Sequence, residues 1–175
     1  MEKFDKNLKF GFIGAGNMAR AIIEGLLKSN AVTPEQLFIS HPSAAKAKAY
    51  KHLNILNEVD SNQLVVENCD VIVLCVKPQI FEFVCKSLVK LVDPKKHLIV
   101  SIAAGINMKK LENIFDAEML RISRCTLNTA ALIGASCSVF SQNGNLRESD
   151  KHLVNKLLSS VGPCMGEIKD CDMDA

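Results

Sequence analysis

Gly14-Ala15-Gly16-Asn17-Met18-Ala19 reads Gly-x-Gly-x-x-Ala and lies between a short apolar stretch and an amphipathic one. The apolar stretch, Lys9–Ala15, predicts a first strand buried on both faces, and Met18–Lys28 predicts a helix with one apolar face. A glycine-rich turn between a strand and a helix near the start of a fold is typical of the unit that binds the phosphates of a dinucleotide.

Each small residue of this turn is explained by a physical requirement for its size. Gly14 permits the tight turn, and Gly16 lets the backbone approach a pyrophosphate without a Cβ atom in the way. Ala19 is small enough for the helix to pack closely on the sheet, and the N–H groups at the helix start face the phosphates. A Walker-type loop is excluded because no Gly-Lys-Ser/Thr follows. The alternative is a glycine turn in an α/β protein that binds nothing.

Apolar stretches alternate with amphipathic ones along the whole chain. The predicted strands are Lys9–Ala15, Gln36–Ser40, Leu53–Leu56, Asp70–Val76, His97–Ala103, Met119–Cys125, Ala135–Phe140 and Cys164–Ile168. The predicted helices are Met18–Lys28, Ala44–Lys51 with Ser43 as its cap, Asn62–Glu67, Gln79–Leu91 after Pro78, Met108–Phe115 capped by Asn107, and Glu148–Val161. This alternation predicts an α/β fold, a doubly wound and mostly parallel sheet of the Rossmann type with ligands at the carboxyl ends of the strands.

The sequence also predicts which side of one helix is buried and how many domains the chain forms. Ile80, Phe83, Val84, Leu88 and Leu91 have helical spacing, so we expect them to form the buried side of their helix. No linker or composition shift divides the chain, which predicts a single domain.

Composition and charge argue against several classes of protein. The net charge is +2 in 175 residues and the lysines are scattered, so no nucleic-acid partner is expected. The longest apolar stretches, such as Val71–Val76, are far shorter than the about 20 residues that span a bilayer. The start of the chain, Met1–Lys6, alternates acidic and basic residues and resembles neither a secretory signal nor a transit peptide.

The seven cysteines form no Cys-x-x-Cys pair. Most of them, Cys69, Cys75, Cys85, Cys125 and Cys137, lie within or beside apolar stretches, which predicts small buried thiols, no metal site and a cytoplasmic protein. Cys164 and Cys171 are the two expected to be open to oxidation.

The end of the second strand bears on the choice between NAD and NADP. An NAD site usually has an acidic residue there for the ribose hydroxyls, but Ser40-His41-Pro42-Ser43 contains no carboxylate. Hydroxyls, an imidazole and the nearby Lys46 would instead accept a 2′-phosphate. The residues favour NADP(H) and leave NAD(H) as an alternative, since a polar loop with a capping Ser43 explains the same residues.

Several stretches taken together resemble the pyrroline-5-carboxylate reductase family. Phe12–Ala19 is similar to its cofactor fingerprint, Val76-Lys77-Pro78 to its Val-Lys-Pro element, and Val100–Ile106 to its fifth strand and turn. Arg124–Ala130 resembles its Arg-Cys-Met-Pro-Asn-Thr-Pro segment, and Leu157–Gly162 resembles the last helix of its cofactor-binding portion. The likeness extends over essentially the whole chain, in the family's order.

The glycine turn and the resemblance together imply a set of cofactor-binding residues. They are Ile13, Gly14, Ala15, Gly16, Asn17, Met18, Ser40, His41, Asn62, Val76, Lys77, Pro78, Ala103, Ala104, Gly105 and Asn128. By the resemblance Asn62 lies near the 2′-phosphate, although a helix-starting asparagine explains it equally. Lys77 and Asn128 are candidates for positioning roles, with surface solvation as the alternative for Lys77. No residue is assigned as a catalytic acid or base.

The reaction that the resemblance implies is hydride transfer from NADPH to the C=N carbon of 1-pyrroline-5-carboxylate, giving L-proline. A cyclic imine is easily protonated, so the protein mainly aligns the nicotinamide with the imine carbon and excludes water. Two alternatives stay open: a catalytically incomplete module that binds NADP(H), and another NADP-dependent reductase of related fold that acts on a hydroxy acid or other small molecule.

Three departures from the family pattern stand out. Leu127 and Ala130 replace two prolines around Asn128, and His41 stands where relatives often carry a small hydroxyl or an arginine. Residues 171–175 resemble the start of the long helix that leads into the family's all-helical second domain, through which the family dimerises. We therefore expect residues 1–170 to form the dinucleotide-binding domain, without that helical domain, and to turn over poorly by themselves.

Overall fold

The structure, a computed structural model, describes residues 2–41, 50–55, 57–59, 61–115 and 118–173. The strands are β1 (Phe10–Ile13), β2 (Leu37–Ser40), β3 (Asn57–Val59), β4 (Val71–Leu74), β5 (Leu98–Ser101), β6 (Arg121–Thr126), β7 (Ser138–Gln142) and β8 (Cys164–Glu167). The α-helices are α1 (Asn17–Lys28), α2 (Asn62–Asn68), α3 (Pro78–Leu88), α4 (Met108–Phe115) and α5 (Glu148–Leu158). Short 3₁₀ helices cover Pro34–Gln36, Lys51–Leu53, Thr129–Ile133, Ser159–Val161 and Asp170–Asp172. The predicted cap Ser43 and most of the predicted helix Ala44–Lys51 lie outside the described residues; only the last two positions of that helix are described.

One sheet contains all eight of these strands, in the order β3-β2-β1-β4-β5-β6-β7-β8. The pairs from β3 to β6 are parallel, β6 and β7 are antiparallel, and β7 and β8 run parallel to each other. The chain builds outward from β1 to β3 and then returns to place β4 on the other side of β1. This reversal creates a topological switch point between β1 and β4, and the predicted doubly wound, mostly parallel sheet is confirmed.

The alternation of side chains along the central strands builds a core on each face of the sheet. Val71 and Val73 of β4 belong to the cluster under α1 and α5, whereas Ile72 and Leu74 belong to the cluster under α2, α3 and α4. Strands buried on both faces have no polar side, which explains why the sequence shows continuous apolar runs there.

The start of the chain is fastened to the last helix. The Phe4 ring packs edge-on against Phe10, with 4.9 Å between the ring centroids. The ammonium group of Lys156, on α5, lies 4.3 Å from the centroid of the Phe4 ring and donates a 2.7 Å hydrogen bond to the carbonyl of Lys3.

The prediction of the third strand was wrong. The apolar stretch Leu53–Leu56 precedes the strand, which is Asn57–Val59. Asn54 has a φ of +55°, a left-handed conformation that interrupts an extended chain, and Ile55 fills the core from the connecting segment. Because β3 is a three-residue edge strand with polar members, hydrophobic periodicity cannot mark it.

The predicted buried side of α3 was wrong in part. The helix buries Phe81, Cys85 and Leu88, and Val84 and Leu91 pack against the same core, whereas Ile80 is 50% exposed and Phe83 is 82% exposed. Both sets have helical spacing, and only the packing of α3 against α2 and α4 selects between them. The helix ends at Leu88 rather than Leu91.

The other described elements begin and end within a few residues of the prediction. Asn107 caps α4 as expected, and its Oδ1 accepts a hydrogen bond from the Lys110 N–H at 2.9 Å.

The cysteines agree in part with the prediction. Cys69, Cys85 and Cys125 are buried, and burial raises the pKa of each of these thiols to about 12. Cys137, expected among the buried ones, is exposed because it lies just before β7, in the turn after Thr129–Ile133. Cys171 is exposed as expected, and Cys164 is only partly so. Within the described parts of the chain, no cluster of His, Cys, Asp and Glu could hold a metal ion, and no helix is long and apolar enough to cross a membrane.

Candidate functional site

The glycine turn joins β1 to α1 and is held by both neighbouring strands. Gly14 has a φ of +100°, and its N–H donates to the carbonyl of Ser40 at 3.0 Å. A Cβ atom at Gly14 would lie 2.8 Å from the carbonyl oxygen of Cys75, just after β4. Both the backbone conformation and the close approach of β4 therefore require glycine at this position.

Gly16 differs from Gly14 in the reason for its small size. Its φ is −85° and its ψ 179°, ordinary extended backbone, and a Cβ atom there would meet nothing within 4 Å. The space beside Gly16 is thus open on the outside of the molecule. The fold leaves room for a side chain at this position, so glycine keeps open a space that a ligand can enter.

The amino terminus of α1 is available to an external acceptor. Gly16 is its N-cap, no side chain caps it, and no acidic residue stands in its first turn. The N–H groups of a first helical turn have no partners within the helix, so they and the positive end of the helix dipole attract an anion. Ala19 is fully buried and packs on the sheet as expected.

At the end of β2 the structure brings two predicted site residues together. Ser40 is 3% exposed, and its Oγ donates a 2.5 Å hydrogen bond to Oδ1 of Asn62, the first residue of α2. His41 is also buried, and its backbone N–H donates to the carbonyl of Val59 at 3.4 Å. Pro42, Ser43 and Lys46, invoked for cofactor choice, lie outside the described residues.

The Val-Lys-Pro element follows β4 directly. Val76 borders the glycine turn, because a Cβ atom on Gly14 would lie 3.1 Å from its Cγ1. Lys77 is exposed, is the N-cap of α3 and has extended backbone, as expected before a proline. Pro78 occupies the first helical position, where its missing N–H costs nothing.

The remaining predicted residues follow β5 and β6. Ala103 is buried, Ala104 and Gly105 are exposed, and Gly105 has a φ of +71° with open space where a Cβ atom would lie. Asn128 is exposed, and its N–H donates to Oγ of Ser136 at 3.4 Å. Because β1, β2, β4, β5 and β6 are parallel, the residues that follow them share one edge of the sheet, at the switch point.

Two buried polar residues near this edge were missed from the sequence. Tyr50 is 1% exposed, and its hydroxyl donates to the carbonyl of Gly16 at 3.4 Å. Arg124, on β6, is 2% exposed and pairs with Asp170 at 2.9 Å. Two arginines, Arg121 and Arg124, within one predicted strand, and the only tyrosine of the chain, are the signals that could have indicated them.

The cavities of the protein do not mark the candidate cofactor site. A cavity of about 490 Å³ is lined by Val89, Phe115 and Leu120, and another of about 430 Å³ by Lys95 and Arg147 among others. Both lie where the chain enters β5 and β6, at the opposite edge from the glycine turn. The candidate site is an open crevice, which is the usual place for ligands in this architecture.

The sheet order, the glycine turn at its switch point and the uncapped helix together define a dinucleotide-binding domain of the doubly wound class. Residues 9–105 match the model of a family described as NADP oxidoreductase, coenzyme F420-dependent. The matched range runs from the residue before β1 to the turn after β5, and the chain belongs to this family.

Similar proteins agree with the resemblance stated from the sequence. A pyrroline-5-carboxylate reductase of Pasteurella multocida is 37% identical over 167 residues, which is 93% of this chain and 59% of that protein. The corresponding protein of Pisum sativum is 36% identical over 152 residues, 87% of this chain and 54% of that protein. The resemblance to pyrroline-5-carboxylate reductases is confirmed, and the chain spans a little over half the length of these relatives.

Solved structures also include similar pyrroline-5-carboxylate reductases. A pyrroline-5-carboxylate reductase from Coxiella burnetii superposes with a TM-score of 0.89 at 27% identity, covering 96% of this chain and 61% of that one. A pyrroline carboxylate reductase of Plasmodium falciparum, solved with NADP bound, has a TM-score of 0.84 at 33% identity and covers 98% and 61%. A prephenate dehydrogenase from A. aeolicus, at 14% identity and a TM-score of 0.74, shows the shared fold alone.

Proposed function

We propose that this chain binds NADP(H) across the switch point of its sheet and supplies the cofactor half of a pyrroline-5-carboxylate reductase. The observation that carries the proposal is the uncapped amino terminus of α1 behind the open space at Gly16. The related Plasmodium enzyme, which was solved with NADP, supports the same cofactor here. The reaction would be the reduction of 1-pyrroline-5-carboxylate to L-proline.

The residues at the glycine turn fit a dinucleotide pyrophosphate. Residues 13–18 lead from β1 into the uncapped start of α1, where N–H groups without helical partners can donate to phosphate oxygens. Gly105 leaves comparable open space after β5, where the backbone can pass close to the cofactor. No acidic side chain stands in the first turn of α1 to repel an anion.

The adenosine end of the cofactor would lie near Ser40, His41 and Asn62. No carboxylate is present at the end of β2, which removes the usual partner of the ribose hydroxyls in NAD sites and the repulsion that a 2′-phosphate would meet there. The Ser40–Asn62 hydrogen bond holds the end of β2 and the start of α2 together at this place. These features favour NADP(H), with NAD(H) as the alternative.

The nicotinamide end would lie along residues 76–78 and 103–105, with Asn128 toward the substrate. Bound NADPH supplies the hydride for a C=N bond. The residues of this chain then have two tasks: they hold the nicotinamide ring against the sheet edge, and they exclude water from it. Exposed Lys77 places a positive charge at this edge, where it can orient an anionic substrate such as a carboxylate.

We propose that the substrate half of the site lies in the part of the relatives that this chain does not span. We propose that residues 1–170 are the dinucleotide-binding domain and that residues 171–175 begin the family's helical, dimer-forming domain. Activity and dimerisation are then properties of the two parts together. The buried thiols of Cys69, Cys85 and Cys125 agree with a reducing compartment, which supports a cytoplasmic protein.

Titration of the chain with NADPH and with NADH, followed by NADPH oxidation in the presence of 1-pyrroline-5-carboxylate, tests the proposal. We expect NADPH to bind more tightly than NADH. Absence of binding to both cofactors would overturn it. Binding without turnover indicates a cofactor module that needs a complementary part, which is the second candidate. Turnover of a hydroxy acid in place of the imine would point to a different reductase.

Replacing Gly16 with valine tests where the pyrophosphate binds. The Cβ atom of Gly16→Val meets no protein atom within 4 Å but fills the space at the start of α1, so we expect NADPH binding to be abolished. The Tm should fall by no more than about 5 °C, the cost of a less favourable helix N-cap. Isothermal titration and thermal melting measure the two quantities.

Gly144→Val is the matched control, since Gly144 also has open space and lies in the turn after β7, at the opposite edge of the sheet. This variant should bind NADPH as the wild type does. Undiminished binding to Gly16→Val would show that the pyrophosphate does not lie at this turn.

A further inference from the structure

The carbonyl of Gly16 accepts two hydrogen bonds from different parts of the chain. One is the first bond of α1, from the Arg20 N–H at 3.0 Å. The other comes from the hydroxyl of Tyr50, at 3.4 Å. Tyr50 stands ten positions after the end of β2, so this contact links the adenosine side of the crevice to the glycine turn.

Tyr50 is firmly placed. Its side chain is 1% exposed and belongs to the core cluster that also contains Phe12, Ala19 and Ile22. A buried aromatic ring has few alternative rotamers, so its hydroxyl is presented to the turn from a fixed direction. No apolar side chain of similar shape could supply this donor.

The planarity of the peptide bond makes the contact relevant to ligand binding. The carbonyl of Gly16 and the N–H of Asn17 belong to one peptide unit and point in opposite directions. The Gly16 carbonyl points along α1 toward the Arg20 N–H, so a donor that fixes this oxygen also fixes the Asn17 N–H, which points out of the amino terminus of the helix. That N–H is one of those at the start of α1 without a helical partner.

We propose that Tyr50 is a positioning residue for the dinucleotide, because its hydroxyl holds the Gly16–Asn17 peptide so that the Asn17 N–H faces the cofactor pyrophosphate. The role rests on the proposed binding of NADP(H) at the turn. It assigns no part in the hydride transfer to Tyr50. Preorganisation of this kind strengthens binding because the loop does not need to be ordered by the ligand.

Tyr50→Phe, which removes only the hydroxyl, tests the proposal. We expect the Kd for NADPH to rise about three- to tenfold, the factor that corresponds to one neutral hydrogen bond. The same factor should appear with 2′-phospho-ADP-ribose, which retains the pyrophosphate and lacks the nicotinamide. Adenosine 2′-monophosphate, which has no pyrophosphate, should bind both proteins equally.

Ser138→Ala is the matched control, because it removes a buried hydroxyl that donates to a backbone carbonyl, that of Pro163, at 3.3 Å. Its Tm should fall about as much as that of Tyr50→Phe, while its Kd for NADPH stays unchanged. If Tyr50→Phe bound NADPH as tightly as the wild type, or lost affinity for all three ligands alike, the positioning role would be wrong. Failure of the wild type to bind NADPH would instead overturn the proposed function.

Discussion

His97 shows how one buried side chain connects two segments of the fold. Its Nδ1 accepts a hydrogen bond from the Asp93 N–H at 2.8 Å, and its Nε2 lies 3.0 Å from the carbonyl of Val66. These partners define a neutral ring that carries its proton on Nε2. The imidazole thereby ties the loop after α3 to α2, immediately before β5.

The pH dependence of stability follows from this arrangement. Burial lowers the pKa of His97, an effect that the Val66 carbonyl only partly opposes. The unfolded chain therefore takes up the proton first as the pH falls, so the contribution of His97 is complete above the unfolded pKa of about 6.5 and is lost below it. We expect the Tm to decrease between pH 7 and pH 5, and His97→Gln to remove part of that decrease.

The exposed imidazole of His152 provides the comparison, since its side chain is 81% exposed on α5. Thermal melting of His152→Gln should reproduce the pH dependence of the wild type. An unchanged pH profile in His97→Gln would contradict the assignment of a neutral, buried His97.

At the level of elements, α1 packs very closely against the 3₁₀ helix Ser159–Val161 that follows α5. A Cβ atom at Gly25 would collide with the carbonyl oxygen of Ser160. Helix propensity alone predicts that Gly25→Ala stabilises α1 by about 1 kcal/mol. The collision acts the other way, and because it involves backbone, we expect a net loss of about 1–3 kcal/mol in the free energy of unfolding.

Urea denaturation of Gly25→Ala measures this loss, and Gly144→Ala, where the new Cβ has open space, should leave the free energy of unfolding nearly unchanged. A stabilised Gly25→Ala would mean that α1 can move away from Ser160 at little cost.

The sequence predicted elements well where pattern and packing coincide. The bounds of α4 agree with the prediction, and those of α1 differ by one residue, because their apolar positions and end signals belong to one short segment. The buried side of α3 was predicted only in part, since Ile80 and Phe83 have helical spacing with Leu88 and yet are exposed. The contact of Tyr50 with Gly16 joins residues 34 positions apart, which no local pattern reveals.

Across the whole molecule, Asp170 joins three elements to the segment after β8. Its carboxylate accepts from Arg124 of β6 at 2.9 Å, from Ser141 of β7 at 3.1 Å and from the Met108 N–H of α4 at 3.1 Å. Burial alone would raise the pKa of Asp170, but the hydrogen bonds from Arg124 and from the Met108 N–H lower it overall. The glycine turn was readable from the sequence, whereas this network depends on strands that only the fold brings together.

Asp170→Asn should therefore lower the free energy of unfolding by about 1–3 kcal/mol, less than for a fully buried pair because the carboxylate is 29% exposed. The wild-type contribution is present above the unfolded pKa of about 3.9 and is lost as the pH falls through the lower folded pKa. The difference between the two proteins should thus be largest near neutral pH. Asp172→Asn, at an exposed neighbour, should have little effect, and equal losses in both variants would contradict the role of the Arg124 pair.

The fastening of Phe4 by Lys156 has a consequence for biosynthesis. The ribosome synthesises a chain from its amino terminus, so the segment before β1 leaves the ribosome long before α5, the helix that holds it. The nascent domain can form its central strands early, but it cannot complete the core around Phe4 until residue 156 has left the exit tunnel.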